Sequence, residues 1–199
     1  MKKILLLAGV ACLFSANADA KINQYVSGKI SYDFNRVNYK DHDYNDADIY
    51  REKFNKELFG THIAYGLRAG YVRGEVELNN SRDIKRNWME SYDHIRIYKH
   101  SVMANAYFDY LTCTPWTPYV GAGIGTSYLK FDDGDRAKSV YNLAWQVMAG
   151  LAYDVNSNWT VDAGYRYADL GRIRRNYGSG VEKITVRDHE IMLGVRYNF

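Results

Sequence analysis

Glu190-Ile191-Met192-Leu193-Gly194-Val195-Arg196-Tyr197-Asn198-Phe199 closes the chain, and its alternation decides the fold. Ile191, Leu193, Val195, Tyr197 and Phe199 fall on one face; Glu190, Met192, Gly194, Arg196 and Asn198 fall on the other. A pattern that repeats every second residue belongs to a β-strand. An ordinary terminal strand would bury its apolar face. A row ending on two aromatics better suits a transmembrane barrel, whose outer face meets lipid and carries aromatic girdles at both interfaces.

Seven earlier segments alternate in the same way. Segment 23–36 sets Val26, Ile30, Tyr32 and Phe34 against Ser27, Lys29, Ser31 and Asp33. Segment 58–67 sets Phe59, Ile63, Tyr65 and Leu67 against His62 and Ala64, and segment 70–80 sets Val72, Val76 and Leu78 against Arg73, Glu75 and Glu77. Segment 96–110 carries Val102, Ala104, Ala106, Phe108 and Tyr110 opposite Met103, Asn105, Tyr107 and Asp109. Segments 117–130, 139–153 and 159–170 continue the pattern, the last with Val161, Ala163, Tyr165 and Tyr167 opposite Asp162, Gly164 and Arg166. No charge falls on the apolar face of any segment. The connections alternate as well. Those at 67–70, 111–117 and 154–158 are short; those at 37–57, 81–95, 131–138 and 171–183 are long, polar and expected to be loops. Short turns at one end and long loops at the other mark an eight-stranded antiparallel up-and-down transmembrane barrel, with both termini at the short-turn, periplasmic side.

Alternation does not say which face is outside, and a soluble ligand-binding barrel would turn the apolar face inward. The aromatics favour the membrane, because they gather at strand ends on the apolar face. So do the polar-face charges, which come in both signs: Lys29, Arg73, Arg166 and Arg196 with Asp33, Glu75, Glu77, Asp109, Asp162 and Glu190. In an eight-stranded lumen, which side chains fill, these residues would form an ion-pair network, since buried charges need partners.

The N-terminus reads as an export signal, with Lys2 and Lys3 ahead of the apolar run 4–14 and a small-residue cleavage site at Ala18-Asp19-Ala20. Residues 1–20 are therefore expected to be a signal peptide and residues 21–199 one barrel domain. Lipoprotein processing at Cys12 fits less well, because the leucine usually found three residues earlier is absent. The net charge of +3 falls to +2 without Lys2, Lys3 and Asp19, and gives no basis for a nucleic-acid partner. Cleavage also leaves Cys113 alone, so no internal disulfide is expected.

Three stretches carry a family resemblance: Thr117-Pro118-Tyr119-Val120-Gly121-Ala122-Gly123-Ile124-Gly125, Ala163-Gly164-Tyr165-Arg166-Tyr167-Ala168-Asp169-Leu170-Gly171 and the terminal strand from His189. Together they resemble the outer-membrane β-barrel domain family of Gram-negative bacteria, which includes opacity-type surface antigens and OmpA-type transmembrane barrels. The resemblance spans the mature chain. It implies outer-membrane lipids and lipopolysaccharide as surroundings. It further implies that Ile191, Leu193, Val195, Tyr197 and Phe199 form the signal read by the barrel assembly machinery. Members differ chiefly in their loops, so the expected work is non-enzymatic and monomeric: adhesion, surface antigenicity or envelope integrity through a host or cell-surface ligand.

Chemistry is sparse. A lipid-A-modifying barrel needs a serine and its base on the same face, but His100 and Ser101 are adjacent and so point to opposite faces. Asp41, Asp43, Asn45 and Glu52 match the acidic positions of a calcium loop, yet the turn glycine is missing and Asp46 stands there; the stretch reads as an acidic surface loop, as does the turn at 131–135. No metal or cofactor is expected. Arg172, Arg174 and Arg175 form a local basic cluster, a candidate loop surface for phosphates or an acidic polymer, or a solvated face. A narrow channel is a further alternative, opposed by the long charged side chains expected in the lumen.

Overall fold

In the computed structural model the alternating segments become eight strands: β1 (Ile22–Asp43), β2 (Ile49–Ala69), β3 (Val72–Asp83), β4 (Arg96–Asp109), β5 (Trp116–Asp132), β6 (Ala137–Asp154), β7 (Trp159–Tyr177) and β8 (Gly180–Asn198). The structure describes residues 22–43, 49–83, 96–132, 137–177 and 180–199. The signal-like segment 1–20, Asn45 and most of the turn at 131–135 lie outside the described residues. The strands pair antiparallel in chain order, and β1 closes on β8 from Tyr25↔Asn198 to Asp43↔Gly180. Closure leaves no unpaired edge for the barrel as a whole. The first strand begins and the last ends beside the short turns: the Phe199 amide donates to the Gln24 carbonyl at 2.9 Å, and the Asn198 amide to Asn158 at 2.7 Å.

The faces sort as a membrane barrel requires. Ile63 is 70% exposed and Leu143 71%, whereas Arg73 and Glu75 are each 2% exposed. The apolar row is outside and the charged row inside, which excludes a water-soluble barrel with an apolar interior. Aromatic pairs gird the outer face at both ends: Trp159 and Trp116 pack on Tyr197 and Tyr153 near the termini, and Tyr128 and Tyr167 pack on Tyr141 and Trp145 at the far end.

Two of the expected long loops are largely strand. β1 runs to Asp43 and β2 starts at Ile49, so most of 37–57 is hairpin; β7 runs to Tyr177 and β8 starts at Gly180, so most of 171–183 is hairpin too. Asp41, Asp43 and Glu52 thus sit on paired strands, not in a calcium-type loop. Past the lipid belt the apolar residues leave the outward parity: Leu129, Leu170 and Val186 are buried on the inner side, while Arg172 is exposed opposite Thr185. Backbone pairing continues. β1, β2, β5, β6, β7 and β8 have 22, 21, 17, 18, 19 and 19 residues, and the described parts of β3 and β4 have 12 and 14. A bilayer needs only about 9–11 residues of strand. On β7-β8-β1-β2 pairing continues past Phe34 and Tyr167 as far as His42↔Ile49, Asp43↔Gly180 and Tyr177↔Gly180, and builds a rim there.

One irregularity lies at the base of that rim. The β7–β8 register shifts between Asp169 and Arg172, so one extra residue of β7 sits opposite β8. Gly171 takes φ 93° there, a backbone conformation that glycine adopts without steric cost.

Candidate functional site

The lumen is built from the inward residues of every strand. Glu75 on β3 is its most connected group. It receives the Lys29 ammonium at 2.8 Å, the Tyr107 hydroxyl at 2.5 Å, the Tyr25 hydroxyl at 3.0 Å and the Asn105 amide at 3.2 Å. Lys29 also donates to Glu77 at 2.8 Å, and Arg166 bridges Glu77 at 2.6 Å to Glu190 at 3.3 Å. Lysine and arginine from β1 and β7 are thereby tied to carboxylates from β3 and β8, across the barrel. Gly121 makes room for this: a Cβ there would stand 2.4 Å from the Tyr107 ring.

A second group lies toward the termini. Arg73 Nε donates to both Asp109 oxygens at 2.9 and 3.0 Å, and its guanidinium stacks 4.3 Å from the Tyr107 centroid. Arg196 reaches Asp162 at 3.5 Å. Toward the rim, Asp33 accepts from Ser31 at 2.5 Å and Ser81 at 3.1 Å, and Lys99 donates to Asp188 at 2.8 Å. Asp33 therefore meets hydroxyls where a basic partner was expected. Asp33, Asp188 and Glu190 bring one carboxylate oxygen each within 4.8 Å of one another, a spacing a cation could bridge. Lys99 on Asp188 and Arg166 near Glu190 already supply positive charge there.

Four contributors were missed from sequence. Lys99 lies inside the 96–110 segment, ahead of its apolar row, and Asp188 just ahead of the terminal stretch; both take inward positions. Tyr25 and Tyr107 also point inward, and their hydroxyls hold Glu75. His62 stands at the centre, 2.9 Å from Ser31 Oγ and 2.8 Å from Asn79 Oδ1. This has the spacing of a nucleophile and its base, but the polarity is reversed. Ser31 gives its proton to Asp33, so its oxygen is left to accept from the imidazole N–H, whereas a serine nucleophile must donate to the ring. Ser31 and His62 are both buried. His100 is exposed on the outer face beside Tyr128, and Ser101 is buried in the lumen, as their adjacency requires.

At the rim, the three arginines taken as one surface all lie past the bulge: Arg172 is exposed opposite Thr185, Arg174 is level with Lys183, and Arg175 is level with Glu182, an odd step along the strand from the other two. On the terminal strand Ile191, Leu193, Val195 and Phe199 are exposed, and Tyr197 packs edge-on against both Trp159 and Phe199. Cys113 is a free, exposed thiol in the turn between β4 and β5.

The profile of the outer membrane protein beta-barrel domain family matches residues 4–199. Outer membrane protein PagN of Salmonella typhimurium is 25% identical, with 94% of each chain covered. Opacity protein opA50 of Neisseria gonorrhoeae is 26% identical over 90% of this chain and 70% of its own. Among solved structures, Neisserial surface protein A shares the fold with a TM-score of 0.65 at 24% identity, covering 88% of this chain and 97% of that one.

Proposed function

Since this chain belongs to the outer membrane protein beta-barrel domain family and is an outer-membrane β-barrel, we propose that it is a non-enzymatic surface protein that adheres to a ligand on another cell through its elongated rim. The observation that carries this reading is the rim itself: β7, β8, β1 and β2 stay paired well past the aromatic row of Phe34 and Tyr167. The likeness to an opacity protein along most of the chain supports the same reading. In this reading the rim faces outward and both termini lie in the periplasm, after export directed by residues 1–20.

The alternatives have less support. A channel needs a lumen that ions can cross, and here Lys29, Arg73 and Arg166 are buried and engaged with carboxylates from other strands. An enzyme needs an activated, accessible nucleophile, and Ser31 is neither. We place assembly with the terminal row Ile191, Leu193, Val195, Tyr197 and Phe199, offered to the barrel assembly machinery.

Trimming the β1–β2 hairpin tests the proposal. A variant in which residues 38–53 are replaced by a two-residue Asn-Gly turn is expected to reach the outer membrane in normal amount and to lose most binding of expressing cells to host-cell monolayers. Undiminished adhesion with the trimmed barrel correctly placed would refute the adhesive role. Increased detergent sensitivity of the same cells would instead assign the rim to envelope integrity.

A further inference from the structure

The buried charges of the lumen do not balance. Among the described residues seven carboxylates are buried against five lysine and arginine side chains, and the partly exposed Arg68 adds one more base, 3.5 Å from Asp109. The shortfall is local. Lys29 serves Glu75 and Glu77, Arg73 serves Asp109, and Arg196 serves Asp162. Toward the rim, Asp33, Asp188 and Glu190 share Lys99 and part of Arg166, whose shorter contact goes to Glu77. The β1–β8 ladder sets Asp33 directly opposite Glu190, and Asp188 is the next inward residue of β8. Like charges directly opposite one another on paired strands destabilise the pair. Two oxygens of this group are buried and accept no hydrogen bond, Asp188 Oδ1 and Glu190 Oε2. Lys99 binds the other oxygen of Asp188. Arg166 Nη1 stands 3.3 Å from Glu190 Oε2 without being aligned to donate to it, and His62, 3.9 Å from the same oxygen, turns its N–H to Ser31.

The geometry points to a calcium site formed by Asp33, Asp188 and Glu190 on the seam where the first and last strands close the barrel. One carboxylate oxygen from each residue lies within 4.8 Å of the others. Calcium takes oxygen ligands at about 2.3–2.6 Å, so one ion spans oxygens up to about 5 Å apart. A buried carboxylate oxygen without a donor is costly, and coordination to a cation compensates it. The Ser31 and Ser81 hydroxyls hold the Asp33 carboxylate in place, at 2.5 and 3.1 Å. Water completes the coordination. Lys99 and Arg166 stand close enough to repel the ion, so the affinity belongs with the weaker calcium sites, at about 10⁻⁴–10⁻³ M. The acidic stretches at 41–52 and 131–135 form no part of this site. Asp33 and Glu190 lie just below the level at which β1 and β8 pass the Phe34 row, so a bound ion clamps β1 to β8 at the base of the rim. This holds whether or not the rim is adhesive.

The test uses the purified mature chain, refolded in non-ionic detergent at neutral pH without phosphate, stripped with EDTA and titrated with calcium chloride. Refolding is repeated with calcium present, so that a closed barrel cannot withhold the ion. Wild type is expected to bind about one ion per chain by calorimetry and to gain several degrees in thermal midpoint. D33N and E190Q are each expected to lower calcium affinity at least about tenfold, since affinity follows the number of charged ligands. In EDTA both are expected to unfold at or above the wild-type temperature, because neutralising either residue relieves the repulsion across the seam. A carboxylate with a merely structural role would instead lower the midpoint with and without calcium. D162N, toward the termini, is expected to keep the calcium response. If E190Q does not refold, D33N, which preserves the shape of the side chain, decides alone. A wild-type midpoint indifferent to calcium in both series would overturn the inference, as would a calcium response that survives in D33N or is lost equally in D162N.

Discussion

Glu75 shows how a single buried carboxylate organises this molecule. Four donors from β1 and β4 converge on it, so its removal orphans two tyrosine hydroxyls and an amide as well as one arm of Lys29. Asp162 has looser partners, with Tyr119 at 3.4 Å and Arg196 at 3.5 Å. Glu75→Ala is therefore expected to lower the unfolding free energy in detergent by about 3–5 kcal/mol and Asp162→Ala by only about 1–2 kcal/mol. Equal losses on urea unfolding would contradict the network drawn here. Lys29→Met is expected to match Glu75→Ala, because Glu75 would lose its ammonium while Glu77 kept only Arg166. At this scale the sequence told which charges face inward, since alternation fixes that. It did not tell which acid meets which base, because partners such as Arg166 and Glu77 lie on β7 and β3 and meet only across the closed lumen. Lys99 and Asp188 went unread for a related reason: they sit where the apolar half of the pattern has already faded.

Among the elements, β7 depends on its bulge. Gly171 holds a positive φ, and a Cβ there would stand 2.5 Å from Asn142 Cβ. Gly171→Ala is expected to cost at least about 1–2 kcal/mol from the backbone alone, and Gly28→Ala, where a Cβ meets nothing within 4 Å, about nothing; thermal unfolding of the two side by side checks this. The bulge holds one residue more than β8 can pair, so deleting Gly171 would give a regular ladder that keeps Arg172 opposite Thr185 and Arg174 level with Lys183. On β8, Phe199 ends the outer row and its amide is bonded to Gln24. Removing Phe199 is expected to reduce outer-membrane yield several-fold while the purified, refolded barrel still migrates as a folded band; an unchanged yield would dissociate this residue from assembly. The terminal strand was legible because its lipid-facing row is unbroken. The rim strands were not, because past the lipid belt the apolar residues, such as the buried Leu170 and Val186, turn to the inner side and no longer read as a lipid-facing row.

The whole molecule reads as a closed wall around a filled interior, carried into a rim on β7, β8, β1 and β2. Closure and strand number could be read from eight alternating segments; the rim could not, since its strands leave the lipid-facing pattern. With the lumen occupied by paired charges, planar bilayers containing the protein are expected to show no conductance above background, and steady single-channel steps would reopen the channel reading. The most direct measurement is labelling of intact cells with a membrane-impermeant maleimide. Wild-type Cys113, in the β4–β5 turn, is expected to react only after the outer membrane is permeabilised, and A47C/C113S, at the tip between β1 and β2, to react on intact cells. Labelling of Cys113 on intact cells, with position 47 protected, would invert the barrel and contradict the account of a surface-facing rim.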